Sequence, residues 1–161
     1  MQILKKTYSS DTLMNENWLK SAGLNHFWMI WRFKFLLKQL SKIKIKFKKQ
    51  YKIMDLGCGN GVLSNQIEKN NLLKIDRVDS NYDTLKLNKD AKGKLICYNI
   101  SKKDKRMKNK YDIIFLFDVL EHVNNDKKFV KDIYFHLKKN GYLIVNVPSI
   151  NMLFSKYDYA V

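Results

Sequence analysis

The sequence predicts one open α/β domain, a doubly wound and mostly parallel sheet with helices on both faces. Three observations predict it. Tyr51 to Gly61, YKIMDLGCGNG, passes from a short apolar run into glycines at alternate positions, Gly57, Gly59 and Gly61. An amphipathic run follows at once, the strand, tight turn and helix of a βαβ unit that binds nucleotides. From there to position 147, short and almost wholly apolar runs alternate with helical ones, as strands buried on both faces require. The division expected is a helical cap with a basic linker over 1–50 and a cofactor-binding unit over 51–161, folded as one structural unit.

Residues 1–22 are polar and mixed, with Asp11 or Asn15 as helix caps. Leu24 to Leu40, LNHFWMIWRFKFLLKQL, is a helix dense in aromatics, with apolar residues around nearly the whole wheel. Such a helix is buried on more than one side or touches a membrane, and core packing with a lid over the site is the preferred reading. Ser41 to Lys52 alternates apolar and basic residues and reads as a solvated connector rather than a strand. The first strand, ending at Leu56, is followed by a helix over 62–71 and a second strand over 74–79. A helix over 81–89 leads to a third strand over 94–100, and a basic connector to the fourth, Tyr111 to Phe117. Asn124 or Asn125 caps a helix running to about Lys139, with Phe129, Val130, Ile133 and Leu137 as its core stripe and His136 off the stripe and exposed. Asn140-Gly141 stops that helix, and Tyr142 to Val147 is the fifth strand, closed by Pro148.

Composition narrows the classes. With 161 residues, 45% of them hydrophobic, one Pro and six Gly, the chain is neither disordered nor of low complexity. The start, MQILKKTYSSDTLMN, lacks the apolar core of a signal peptide, and no run approaches the ~18 apolar residues of a membrane span. Cys58 and Cys97 stand apart with no CxxC, which leaves no zinc site and no disulfide framework, and fits a reducing cytoplasm. A formal charge of +16 invites nucleic acid, but 28 Lys stand against 3 Arg, beside 16 Asn. Bidentate base and phosphate recognition belongs to arginine. The charge is mainly a lysine-rich background, with weak attraction to polyanions or acidic lipid surfaces as its by-product.

Spacing discriminates among the nucleotide loops. No Gly-Lys-Ser/Thr triplet follows, so this is not a P-loop, and Val62 stands where a dinucleotide fingerprint needs its third glycine. The pattern present is Asp55-x-Gly57-x-Gly59-x-Gly61. Asp79 closes the second strand, 18 residues past Gly61, where a carboxylate accepts both hydroxyls of a ribose. The fourth strand runs into Phe117-Asp118-Val119-Leu120-Glu121-His122-Val123, at the strand ends that line the ligand crevice of such sheets. His122 is one of three histidines, and imidazole titrates near neutrality. A general base and a histidine that only bonds its own loop are equally weighted for it.

Asp55 with the three glycines, joined to Asp79 and DVLEHV in register, resembles the class I S-adenosylmethionine (SAM) dependent methyltransferases, in the small-molecule branch that includes the quinone-biosynthesis O-methyltransferases. The resemblance covers about residues 24–161. It implies a Rossmann-like sheet with strands in the order 3-2-1-4-5, SAM as cofactor and no metal. It places the cofactor on Asp55, Gly57, Cys58, Gly59, Asn60 and Gly61, on Asp79 and Ser80, on Asn99 and Ile100, and on Phe117 and Asp118. Asn99 departs from the aspartate common there and accepts without charge. His122 is the implied catalytic residue. The acceptor implied is a small molecule, a lipid-linked sugar or a quinone-like compound. RNA methylation and a SAM-binding remnant without catalysis are the alternative readings.

In that family an antiparallel hairpin follows the fifth strand, and here the chain ends about a dozen residues after Pro148. The expectation is a sheet truncated at its C-terminal edge, with YLIVNV free of charge and internal Pro. Such an edge is covered by INMLFSKYDYAV, pairs with a second chain to make a dimer, or aggregates, and the last two are expected ahead of a monomer.

Overall fold

A computed structural model describes residues 3–5, 23–70 and 73–147. In chain order these form β1 (Ile3–Lys5), α1 (Phe27–Lys42), β2 (Ile53–Leu56), α2 (Val62–Asn70), β3 (Ile75–Asp79), α3 (Tyr82–Lys86), β4 (Leu95–Cys97), β5 (Tyr111–Phe117), α4 (Asp126–Tyr134) and β6 (Leu137–Asn146). Short 3-10 turns stand at Ile100–Lys102, Lys105–Met107 and Leu120–His122. The sheet is parallel throughout, in the order β1-β4-β3-β2-β5-β6. Its five expected strands, β2 to β6, therefore stand in the order 3-2-1-4-5. The sixth was not expected: Ile3–Lys5 pairs with Leu95–Cys97. Three residues are too few to show a period, and only the neighbouring strand makes them one. Caps at Asp11 or Asn15, Pro148 and the tail from Ile150 lie outside the described residues.

Period two along the strands divides the core. Ile113, Phe115 and Phe117 of β5 point to one face, packed with Ile53 of β2, Leu63 and Ile67 of α2, and Phe33, Leu36 and Leu40 of α1. Ile114 and Leu116 point to the other, with Met54, Leu56, Val78, Ile96 and Ile133. Helices thus cover both faces, and the apolar strand runs have the burial that their composition demands. The connector from Ile43 to Lys52 contains no strand. Ile43 is exposed, while Phe47 packs edge-on to Phe115 at 6.2 Å between ring centroids.

Two expectations at the C-terminal end are corrected. The helix capped by Asn125, whose side chain accepts from the Lys128 N–H, ends at Tyr134 rather than near Lys139. Leu137 opens β6 instead of closing the helical stripe. The backbone N–H groups of Lys110 and Tyr111 donate to the His136 carbonyl at 2.9 and 3.1 Å, and this pairing pulls the chain into the sheet early. Asn140-Gly141 is accordingly part of a bulge: the register passes from Tyr111↔Leu137 to Ile113↔Tyr142, with Asn140 at φ 63°.

His136 is fully buried, not exposed. Its ring bonds the Tyr98 hydroxyl at 3.0 Å and the Asp132 carbonyl at 2.8 Å, which ties α4 to the segment after β4. A helical wheel drawn to Lys139 put His136 off the apolar stripe, but the helix ends two residues before it.

Burial holds the His136 imidazole below its ordinary pKa, against the backbone carbonyl of Asp132, which favours the charged form. The folded state thus refuses a proton that the unfolded chain takes up near pH 6.5, and this share of stability is lost as pH falls from about 6.5. His136→Asn should flatten the stability difference between about pH 5 and 8 and lower stability at neutral pH by about 1–3 kcal/mol, as Tyr98 and Asp132 lose a partner. Thermal melts of both chains across that range measure it.

Candidate active site

The glycine loop sits at the carboxyl end of β2, at the centre of the sheet. Gly57, Gly59 and Gly61 all take left-handed backbone, with φ of 69°, 55° and 77°. Two of them are further constrained by close approach. A Cβ at Gly57 would stand 2.4 Å from Val119 Cγ2, so the loop touches the segment that follows β5. A Cβ at Gly61 would stand 2.0 Å from Asn88 Oδ1 and 2.4 Å from Arg77 Nη1. Glycine is required at both by space as well as by conformation.

Beneath the loop lies a buried polar group. Arg77, on β3, is fully buried and pairs with Glu68 at 2.7 Å, Asn65 at 2.8 Å and Asn88 at 2.9 Å. Asn88 Nδ2 in turn donates to the Gly59 carbonyl at 2.8 Å. Asp55 is turned the same way, into the protein, where it accepts from the Ser64 hydroxyl at 2.7 Å. Burial raises the Asp55 carboxyl above the usual range, opposed by Ser64 and by the charge of Arg77. Asp55 thereby ties the end of β2 to the start of α2. Cys58 is likewise buried, and burial pushes its thiol up.

Above the loop, Asp79 ends β3. One carboxylate oxygen accepts from the Gly59 N–H at 3.2 Å, the other from the Asn81 N–H at 2.9 Å. Burial raises this carboxyl too, and these backbone donors oppose the shift. The Ser80 N–H also acts on this carboxylate, and two carboxylate oxygens together accept about four bonds. Ser80 follows, its carbonyl 3.5 Å from the Cys97 thiol, and Asn60 is half-buried on the loop itself. Just past β4, the Tyr98 N–H donates to the Asp79 carbonyl at 2.9 Å, and Asn99 follows it in the chain. Asn99 Oδ1 accepts from the Ser101 N–H at 2.9 Å, and Ile100 is buried in the core behind.

Phe117 closes β5 and Asp118 follows it. Phe117 is buried, with the Arg32 guanidinium 5.4 Å over its ring. Asp118 takes a left-handed φ of 54°, is ion-paired with Arg32, and accepts from Asn146 Nδ2 at 2.7 Å. A left-handed non-glycine residue persists only where its surroundings hold it, and here α1 and β6 both do. His122 lies further along, exposed on the turn after Val119.

The structure therefore brings the glycine loop into contact with Asp79 and with the start of the post-β5 segment, and leaves His122 exposed on the turn beyond. Arg32, Arg77, Asn88 and Asn146 are what reading by motif missed. A signal for two of them existed: among only three arginines in a lysine-rich chain, Arg32 and Arg77 fall in apolar segments.

Comparison with known proteins agrees with this fold. The family described as a methyltransferase domain matches residues 28–161. A ubiquinone biosynthesis O-methyltransferase of Rickettsia canadensis is 32% identical over 108 residues, 65% of this chain and 45% of that protein. A SAM-dependent methyltransferase structure from Clostridium acetobutylicum superposes with a TM-score of 0.56 at 22% identity, over 70% of this chain and 48% of that one. A Pyrococcus horikoshii protein superposes at 0.60 with 18% identity, over 81% and 65%. Identities this low show a shared fold. The chain spans about half the length of the curated relatives it matches.

Gly61→Ala should destabilise the fold by about 2–5 kcal/mol, combining left-handed strain with overpacking against Asn88 and Arg77. Asn88→Ala in the same chain should recover part of that loss. Denaturant melts of the single and double variants decide whether contact or backbone strain dominates.

Proposed function

The chain belongs to the methyltransferase domain family, and from that premise we propose that it binds SAM on the Gly57–Gly61 loop and transfers a methyl group to a hydroxyl of a small, quinone-like acceptor. The observation that carries the reading is the pairing of a left-handed glycine loop with the Asp79 carboxylate through the Gly59 N–H. It offers a close backbone approach and two acceptor oxygens at the same strand ends, which suits a ribose with two free hydroxyls. The half-length match to the Rickettsia enzyme supports the acceptor class.

When bound, SAM supplies a methyl group on a sulfonium sulfur, open to displacement by an acceptor oxygen. What falls to the protein is alignment, exclusion of water and removal of a proton. Asp79 would take the ribose hydroxyls. The loop from Gly57 to Gly61, with Cys58 and Asn60, would accommodate the remainder of the cofactor, as Ser80, Asn99 and Ile100 would its base. Arg32, Phe117 and Asp118 form a wall of α1 and β5 that shields the crevice. His122, on the exposed turn beside it, is the group proposed to take the acceptor's proton.

RNA is the poorer acceptor reading. Lys49, Lys52, Lys74, Lys94 and Lys110 gather around a cleft of about 320 Å³ at the amino ends of the strands, opposite the glycine loop. A polyanion held there would lie across the sheet from the proposed chemistry. A reducing cytoplasm as the compartment rests on two free, buried cysteines.

Calorimetry with SAM and with its demethylated product tests the cofactor directly. Asp79→Ala should weaken both by about 1.5–3 kcal/mol for each charged hydrogen bond lost. Unchanged affinity in that variant would remove Asp79 from the site.

His122→Gln should lower turnover by roughly 10²–10⁴ while leaving calorimetric SAM affinity close to that of the parent. Turnover of labelled methyl groups at the parent rate would return His122 to a structural role in its turn.

A further inference from the structure

Helix α1 has two faces, and only one is explained by the core. Met29, Arg32, Phe33, Leu36 and Leu40 are turned inward. The opposite face carries Phe27, Trp31 and Phe35, which are 74%, 55% and 46% exposed. Trp28 stacks on Trp31 at 5.3 Å between ring centroids, and Trp31 on Phe35 at 5.6 Å, so the rings form a continuous ladder along the helix. At a turn of 100° per residue, Lys34, Lys38 and Lys42 fall within the same outward arc, and all three are exposed. Leaving this much aromatic surface in water is costly, and a contiguous apolar patch marks a surface with a partner.

The charge pattern indicates which partner. No Asp or Glu stands between Glu16 and Asp55, so neither α1 nor the connector after it carries an acidic residue. The connector adds Lys44, Lys46, Lys48 and Lys49, all exposed. Aromatic rings interleaved with lysines on one exposed arc match the boundary between headgroups and acyl chains: rings enter the interface while ammonium groups meet phosphates. Among the described residues no helix is long and apolar enough to cross a membrane. Helix α1 is also anchored by its inner face, through the Phe33, Leu36 and Leu40 packing and by Gln66 Nε2 donating to the Met29 carbonyl at 3.1 Å.

We propose that the outward face of α1 is a docking surface for an acidic lipid bilayer, on which the helix lies in the interfacial plane with Phe27, Trp31 and Phe35 inserted and Lys34, Lys38 and Lys42 on the headgroup phosphates. This goes beyond the methyl-transfer reading and stands without it. It has a geometric consequence for the site all the same. Arg32, on the inner side of the same helix, is the residue that pairs with Asp118 at the end of β5. A docked α1 would hold the crevice wall one helix diameter from the lipid, about 10 Å.

The test uses the full chain with vesicles of phosphatidylcholine alone and of phosphatidylcholine mixed with phosphatidylglycerol, by co-sedimentation and tryptophan emission. Binding to the anionic vesicles with a blue shift of emission, weakened by high salt and absent on the neutral ones, is expected. A Phe27→Ser, Trp31→Ser, Phe35→Ser variant should lose at least about tenfold in vesicle affinity while keeping its circular dichroism and melting profile. A Lys34→Glu, Lys38→Glu, Lys42→Glu variant should lose as much. Equal retention of the aromatic variant would overturn the proposal, because charge alone would then be binding. So would no binding at low salt, or concentration-dependent dimerisation or RNA capture abolished by the aromatic substitutions while vesicles are ignored.

Discussion

The buried cation Arg77 sets the terms for the half of the domain that carries the glycine loop. The Arg77 guanidinium has no exposure, and Glu68, its ion-pair partner, almost none. Burying both charges is costly, and removing either partner would leave the other uncompensated, at about 3–5 kcal/mol. Nη1 and Nη2 of Arg77 also reach Asn88 and Asn65, so α2, β3 and the segment after α3 are tied to one group. Glu68 also accepts from the Ile75 N–H at 2.9 Å, which secures the start of β3 against α2. The glycine loop inherits its position from this group, because Asn88 reaches up to the Gly59 carbonyl and occupies the space that a side chain at Gly61 would need.

A second, smaller polar contact organises the other wall. Arg32 comes from α1, Asp118 from the end of β5 and Asn146 from the end of β6, three segments far apart in the chain. Their convergence holds Asp118 in a left-handed conformation that β-sheet geometry alone would not supply. The cap helix is thereby attached to the strand ends by a charged hydrogen bond as well as by apolar packing. Its inner face packs on the sheet, and its outer face is exposed.

Charge is distributed unevenly along the axis of the sheet. The carboxyl ends of the strands hold Asp79 and Asp118, both engaged by donors, while the amino ends gather five lysines around the cleft that includes Asp76. Asp76 is itself engaged, by the Tyr111 hydroxyl at 3.0 Å and the Lys94 N–H at 3.2 Å. A high net charge is therefore compatible with a site that is not basic at the end proposed for catalysis. Bulk composition describes the whole surface, whereas the field at a crevice comes from the few groups lining it.

The amino-acid sequence by itself determined the architecture. Alternate glycines after an apolar run specify a strand, a left-handed turn and a helix, and the apolar runs after it number and place β2 to β5, because period and turn chemistry are local properties. It likewise brought Asp79 and Asp118 to strand ends, since side-chain position follows from strand length. What the tertiary structure decided is where local signals compete or fall silent. Ile3–Lys5 becomes a strand only beside β4, and α4 yields Leu137 to β6 because pairing with β5 outweighs another turn of helix. His136, judged by a wheel that did not continue, found a buried partner in Tyr98 from a segment 38 residues away. Arg32 and Arg77 stand in apolar runs, and only Asp118 and Glu68, brought from elsewhere in the chain, show what each does. A polar side chain's role depends on what long-range packing brings within about 3 Å, and no local pattern encodes that.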